Sequence, residues 1–345
     1  MFFPDSFKNT SDKPVKSYLE ALEAFRDEHN RPLGFNVALA KSFADIPGVG
    51  PVEVADRKHV YRTDSNGVVG TVGNRFEPIQ SNMPQLVQTM QAIEKALGLE
   101  YYNGGTFGGG SRMYLQARMG EPMRLKKNNG GEVTNGEVSR DFTLLNANDG
   151  SLLLQIDGTN TTIVCANTFA MASREAVQGL LCKHTSKCIE DSFRDPLAVA
   201  AGMVAYQEQA EQRIVKLVQT DFTDTMLDSV LRKVSGIKAD LPESDVPTRT
   251  VNTWDNIRNK WQSGTGIDET NRGTAWAALN AFTEHLTHEA GVRVATPKGL
   301  SDGQVEAWRA GAEDLARFES NLVGSASNMK NKALRAIEAV IDETA

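Results

Sequence analysis

The chain has 345 residues, is 40% hydrophobic and 23% charged, and carries a net charge of −7. A core of ordinary size can be buried, and the overall charge does not announce a nucleic-acid binder. The three cysteines are too few for a disulfide framework, no apolar run reaches the ~18 residues of a membrane span, and the first residues lack a secretory signal, so a cytoplasmic protein is expected.

Charge is unevenly spread. Residues 51–127 hold ten Lys/Arg against seven Asp/Glu, a balance of +3, whereas residues 200–345 hold sixteen against twenty-one, a balance of −5. In chain order, Tyr18, Leu22 and Phe25 have helical spacing and predict a helix over 15–29. The segment 51–79 has short β-branched runs broken by Asp-Ser-Asn-Gly and reads as a hairpin, with strands near 58–62 and 67–73. Pro84 opens a helix over 84–97 that Gly98 closes. Five glycines within 104–110 read as a turn before a strand in which Met113, Leu115 and Ala117 alternate with Arg112, Tyr114, Gln116 and Arg118. Residues 123–137 read as a hairpin tip or loop. Strands are predicted at 139–145, 151–156 and 161–165, the last two joined across Asp-Gly-Thr-Asn.

Beyond residue 168 the pattern turns helical, with helices predicted at 196–219, 222–234, 250–262, 274–290, 302–319 and 328–343. Trp254, Ile257 and Trp261 mark one helix face. The fold class is therefore α+β: a mixed N-terminal part with a small antiparallel sheet and a packed helix, and an all-helical C-terminal part. The division is 1–195 and 196–345, with a break near 236–248, where two prolines meet alternating acids.

All three cysteines fall within IVCANTFAMASREAVQGLLCKHTSKC, 163–188, with His184 between the last two. Zinc sites usually contain a Cys-x(2–4)-Cys knuckle, which brings two sulfurs to one ion. Here sixteen and five residues intervene, so packing, not metal binding, is the expectation. No P-loop or Gly-x-Ser-x-Gly is present, and the 104–110 glycines precede a strand instead of the helix that would strengthen a phosphate site. HLTHE at 285–289 matches neither zincin order, and its histidines are expected on a polar helix face. No catalytic residue, metal or cofactor is assigned, and an enzyme is not favoured.

The surviving feature is a set of cations with interleaved aromatics. Arg57, Lys58, Arg62 and Arg75 lie in or near the first hairpin, and Arg112, Arg118, Arg124, Lys126 and Lys127 in or beyond the Gly-rich strand. Tyr61, Tyr102 and Tyr114 are among the rings between them. Cations that track phosphates and rings that stack on bases are the elements of a single-strand groove.

VVGTVGNRFEPIQSN (68–82), GGGSRMYLQARM (108–119), NANDGSLLLQI (146–156), TTIVCANTFAMA (161–172), CKHTSK (182–187) and GTAWAALNAFTEHLTHE (273–289) occur in that order. The chain thus resembles, over roughly 30–290, the phage/plasmid-like protein family, a family of unknown function found in phages, plasmids and integrated elements. The resemblance implies a mobile-element setting and the host-cell cytoplasm, not a reaction. In outline, 52–127 is also similar to the phage single-strand annealing proteins of the Redβ, RecT and Erf group, which build a small sheet with a packed helix and a basic groove. That likeness implies an ATP-independent, homo-oligomeric protein that binds and anneals single-stranded DNA in recombination. A phage exonuclease or host single-strand-binding protein would be further partners, and no membrane would be involved. In this reading Arg112, Arg118, Arg124, Lys126 and Lys127 neutralise phosphates, Arg57, Lys58, Arg62 and Arg75 belong to the same binding surface, and Tyr102 or Tyr114 stacks on bases. The alternative expectation is an interaction protein that binds a host or phage partner through its acidic helical half.

Overall fold

The computed structural model describes residues 15–27, 29–127, 130–162, 167–169, 180–292, 294, 305, 309, 312–313, 316–317, 319–321 and 324–344. Antiparallel sheets occupy the first half and helices the second, an α+β fold. Helix α1 (Tyr18–Ala24) is shorter than its apolar spacing predicts. The Asp27 carboxylate accepts the backbone N–H groups of His29 and Arg31 and turns the chain there.

Strands β1 (Val37–Ile46), β2 (Gly50–Arg62) and β3 (Val68–Gly73) form a three-stranded sheet in that order. β1 was not foreseen. Its end is marked by Pro47-Gly48: Val49 N–H bonds Ile46 O at 2.9 Å and Gly48 has φ +81°, the pattern of a type II turn. This sheet has a small core of its own, Phe35, Val37, Val60, Val72 and Phe76.

Helix α2 (Pro84–Leu97) has the predicted bounds, with Gly98 left-handed at its end. The second sheet contains β4 (Leu99–Phe107), β5 (Arg112–Met119), β6 (Met123–Lys126), β7 (Glu132–Ala147), β8 (Leu154–Thr162), β9 (Asn167–Phe169) and β10 (Leu180–Cys182). Its order is β10-β8-β7-β5-β4, with β6 also on β7 and β9 also on β8.

Two expectations about turns are corrected here. Gly104 and Gly105 lie inside β4, where a Cβ would meet Leu115 Cδ2 at 2.5 Å and the Tyr114 hydroxyl at 2.9 Å. These glycines make room for side chains of the next strand; the turn proper is Gly108–Gly110, all at positive φ. Asp-Gly-Thr-Asn, 157–160, is also strand, not turn. A Cβ at Gly158 would meet Tyr206 Cε1 at 2.4 Å, so the glycine allows a helix to cross the sheet closely. The predicted residues 163–165, Cys165 among them, lie outside the described residues.

The helical half comprises α3 (Ser186–Ser192), α4 (Pro196–Gln219), α5 (Asp224–Ser235), α6 (Thr248–Ser263), α7 (Ala275–Glu284) and α8 (Ser325–Thr344). The predicted helix 302–319 lies largely outside the described residues. Asp195, Thr223 and Thr274 cap the N-termini of α4, α5 and α7 with their side chains. Trp254, Ile257 and Trp261 are buried as their spacing predicts. α7 continues into a π-helical turn, His285–Glu289. His285 is therefore not on a polar face. It is 6% exposed and bonds Glu289, which Lys260 holds at 2.6 Å.

Two larger cores result. One lies between α1, α2, the start of α4 and one face of the large sheet. The other joins the helices to Met123, Leu125, Val133 and Val138 of β6 and β7. Among the described residues no helix is long and apolar enough to cross a membrane.

Candidate nucleic-acid interface

The alternation predicted for β5 is present. Met113, Leu115 and Ala117 enter the core with Phe142, Leu144, Leu154 and Ile156. Arg112, Tyr114, Gln116 and Arg118 share the opposite face, where strand register lines up Asn103, Gln116, Thr143 and Asp157. That face is not an open groove. These four polar residues are all buried, and Tyr114 is 3% exposed.

Burial pushes the Tyr114 hydroxyl well above the usual tyrosine range. It does the same to Tyr102, where Asp141 adds to the effect. Tyr102 is half-buried, and the Arg118 guanidinium sits 5.6 Å over its ring. Asn103 donates to Gln116 at 2.9 Å, and Ser139 donates to Asp141 at 2.6 Å. Burial raises the Asp157 carboxyl to about 6, against hydrogen bonds from Gln155 and the Gly158 N–H. The face is thus an internal polar layer, hydrogen-bonded in part within itself.

Several of the cations expected to contact phosphate are engaged within the protein. Arg112 forms ion pairs with Asp149, at 3.4 Å, and with Glu319. Arg62 is 1% exposed and fixed by Asp27 and Asp64, each at 2.6 Å, with its guanidinium over the Phe35 ring. A buried arginine with two carboxylates has no charge left for a strand. Tyr114 is sealed in, and Tyr102 carries Arg118 on its ring, so neither offers an open face for a base. Arg124 is exposed but pairs with Glu137 at 3.3 Å.

The other cations remain in solvent at two separate places. Among the described residues Arg57, Arg75, Lys126 and Lys127 form no ion pair, and Lys58 bonds only the Asn74 carbonyl, at 3.3 Å. Lys126 and Lys127 stand on the β6–β7 hairpin. Arg57, Lys58 and Arg75 belong to the three-stranded sheet. There Arg57, His59 and Tyr61 alternate on one strand face, opposite Gly73, Thr71 and Val68 of β3. Arg57 and Thr71 are exposed, and His59 and Tyr61 are half-exposed. His59 Nδ1 lies 3.0 Å from Thr71 Oγ1. Arg75, two residues beyond β3, lines a cleft of about 240 Å³ with Phe76, Leu153 and His184. His59 was not singled out from the sequence, although the Arg-x-His-x-Tyr spacing on a strand carries the signal.

His184 stacks on Phe76 with ring centroids 4.6 Å apart and bonds the Glu77 carbonyl at 3.3 Å; burial lowers its pKa. Cys182 is buried and its thiol is pushed up to about 12. The Cys188 sulfur accepts the Lys183 N–H at 3.1 Å. Among the described residues no group of three or more His, Cys, Asp and Glu could hold a metal ion.

A family model described as a domain of unknown function, DUF932, matches residues 68–310, more than half of the chain. The chain belongs to the DUF932 family. No curated protein and no solved structure matches it. The DUF932 match begins at Val68, the first residue of β3, so it contains the large sheet and its internal polar layer. The ribbon of β1 and β2, with Arg57, His59 and Tyr61, precedes it.

Proposed function

We propose that the chain binds single-stranded DNA without ATP, on the open face of the three-stranded sheet, and promotes annealing in the recombination of a phage or other mobile element. The observation that carries this reading is the row Arg57, His59, Tyr61, which faces solvent with no carboxylate paired to Arg57 among the described residues. Arg57 supplies a phosphate contact at one end of this face, Lys58 on the reverse face of β2 and Arg75 beyond β3 add charge near the same end, and Tyr61 with His59 supplies rings for stacking, each stacked base contributing roughly 1–3 kcal/mol. The small neighbours Ala38 and Thr71 leave the face flat enough for bases to approach. Lys126 and Lys127 serve as a second, more distant contact.

The test is fluorescence anisotropy with labelled oligonucleotides at low salt, followed by mixing with the complement. Retention that weakens with a log–log salt slope of about −0.7 per phosphate neutralised, and faster duplex formation, are expected. No retained oligonucleotide at low salt removes the proposal. A second reading keeps the helical half as the working surface. An open groove along α4 is lined by Glu208, Glu211, Val215 and Lys216, with Val215 38% exposed. A host or phage protein docking there, with no DNA bound, would leave one stoichiometric partner after purification from host lysate.

A further inference from the structure

The three-stranded sheet has one covered edge and one edge that the Gln80 side chain caps at Val37. At β3 a Cβ on Gly70 would lie 2.5 Å from Asp149 Cα, so the large sheet's turn lies against that side. β1 is the other edge, and beyond Leu39 it leaves the body of the protein. From residue 40 to 54 only Ser42 is buried. Four of the ten exposed large hydrophobic residues among those described fall in this ribbon: Phe43 (54%), Ile46 (43%), Val49 (72%) and Val52 (40%).

An edge strand presents unpaired N–H and C=O groups, and exposed edges are ordinarily blunted by bulges, charges or cover. β1 runs ten residues. The irregularity beside it is taken up by β2, where residues 54–57 face Ser42 alone. The charges on β1 are self-complementary. When two copies are laid antiparallel about Phe43, Lys41 of each falls opposite Asp45 of the other, and the two Phe43 rings meet. Ala40 then faces Ile46, and Ser42 faces Ala44. Centring the pair on Lys41 or on Asp45 would set like charges together instead. Asp45 has no ion-pair partner among the described residues, and Lys41 holds only the exposed Glu53, at 2.8 Å.

We infer that β1 pairs with β1 of a second copy of this chain, antiparallel about Phe43, and joins two three-stranded sheets into one continuous sheet. The contact is isologous, as a two-fold dimer requires, and it closes on itself instead of growing into a fibre. It also brings two rows of Arg57, His59 and Tyr61 into one sheet. The pairing rests on the edge strand alone and is measured without nucleic acid, so its failure and that of strand binding are distinguishable.

The experiment is sedimentation velocity of the full chain at roughly 10–100 µM, a range suited to a small interface. A dimer is expected. Phe43→Arg places two like charges on the two-fold axis and weakens association at least about tenfold, with an unchanged circular dichroism spectrum because the site is exposed. Lys41→Asp and Asp45→Lys each weaken the dimer, and the double variant Lys41→Asp/Asp45→Lys restores it. A wild-type monomer across this range overturns the proposal. So does a dimer indifferent to Phe43→Arg, or a double variant that fails to recover.

Discussion

The two sheets use the same alternation to opposite ends. In the large sheet, Arg112, Tyr114, Gln116 and Arg118 share a face on which Tyr114 and Gln116 are buried, while the part-exposed Arg112 and Arg118 are held by Asp149 and by the Tyr102 ring. In the small sheet, Arg57, His59 and Tyr61 share a face that stays in solvent, above a core of five buried apolar residues among those described. Strand periodicity says which side chains stand together. Whether they meet water depends on what packs over them, which periodicity does not encode.

Substitutions in the two places should therefore fail differently, and the largest effect is expected where the small sheet meets the body. Arg62→Ala leaves the buried Asp27 with Arg31 alone as its cation among the described residues and should cost about 3 kcal/mol in urea unfolding, the lower end for a broken buried pair. A loss below 1 kcal/mol would mean that the Asp27–Arg62–Asp64 cluster is hydrated and the sheets less tightly joined.

The next effect is a pH dependence within the polar layer. Folding raises the Asp157 carboxyl from 3.8 to about 6, so the folded state keeps a proton that the unfolded chain releases. Stability should fall as pH rises from about 4 to about 6, by roughly 2–3 kcal/mol at most. Asp157→Asn should remove that slope and be the more stable protein at pH 7. An unchanged slope in pH-resolved denaturation would show that Asp157 is solvated. Gly158→Ala follows, at roughly 1–3 kcal/mol, because its Cβ has no room beside Tyr206.

The smallest stability effect sharpens the comparison most. Arg57→Glu with Arg75→Glu should change stability by no more than about 0.5 kcal/mol, since neither side chain is paired among the described residues. The same variant should lose oligonucleotide binding. Arg112→Ala should do the reverse, lowering the melting temperature while leaving binding intact. Equal binding losses in both variants would return the contact surface to the large sheet.

Much of this was legible beforehand where the signal is local. Pro84 and Gly98 bound α2, Asp195-Pro196 opens α4, and the β5 alternation assigns the correct residues to the core. The misread glycines and arginines involve distant neighbours. Gly104 and Gly105 looked like a turn because glycine permits one, yet they lie in a strand because Leu115 and Tyr114 need the space. Gly158 misled for the same reason, its requirement being set by Tyr206, 48 positions along the chain. Among the candidate contacts, Arg62 and Arg57 lie five residues apart on one strand and could not be told apart by composition. One is buried between Asp27 and Asp64, and the other is exposed.

Residue order by itself determined the α+β class, most helix boundaries and which side chains share each strand face, because caps, breakers and periodicity act over a few residues. Tertiary structure alone decided which polar face is sealed, which arginines are neutralised and which strand is left as a bare edge. Those outcomes are set by burial and by charges brought together from far apart in the chain, such as Asp27 with Arg62 and Arg112 with Glu319.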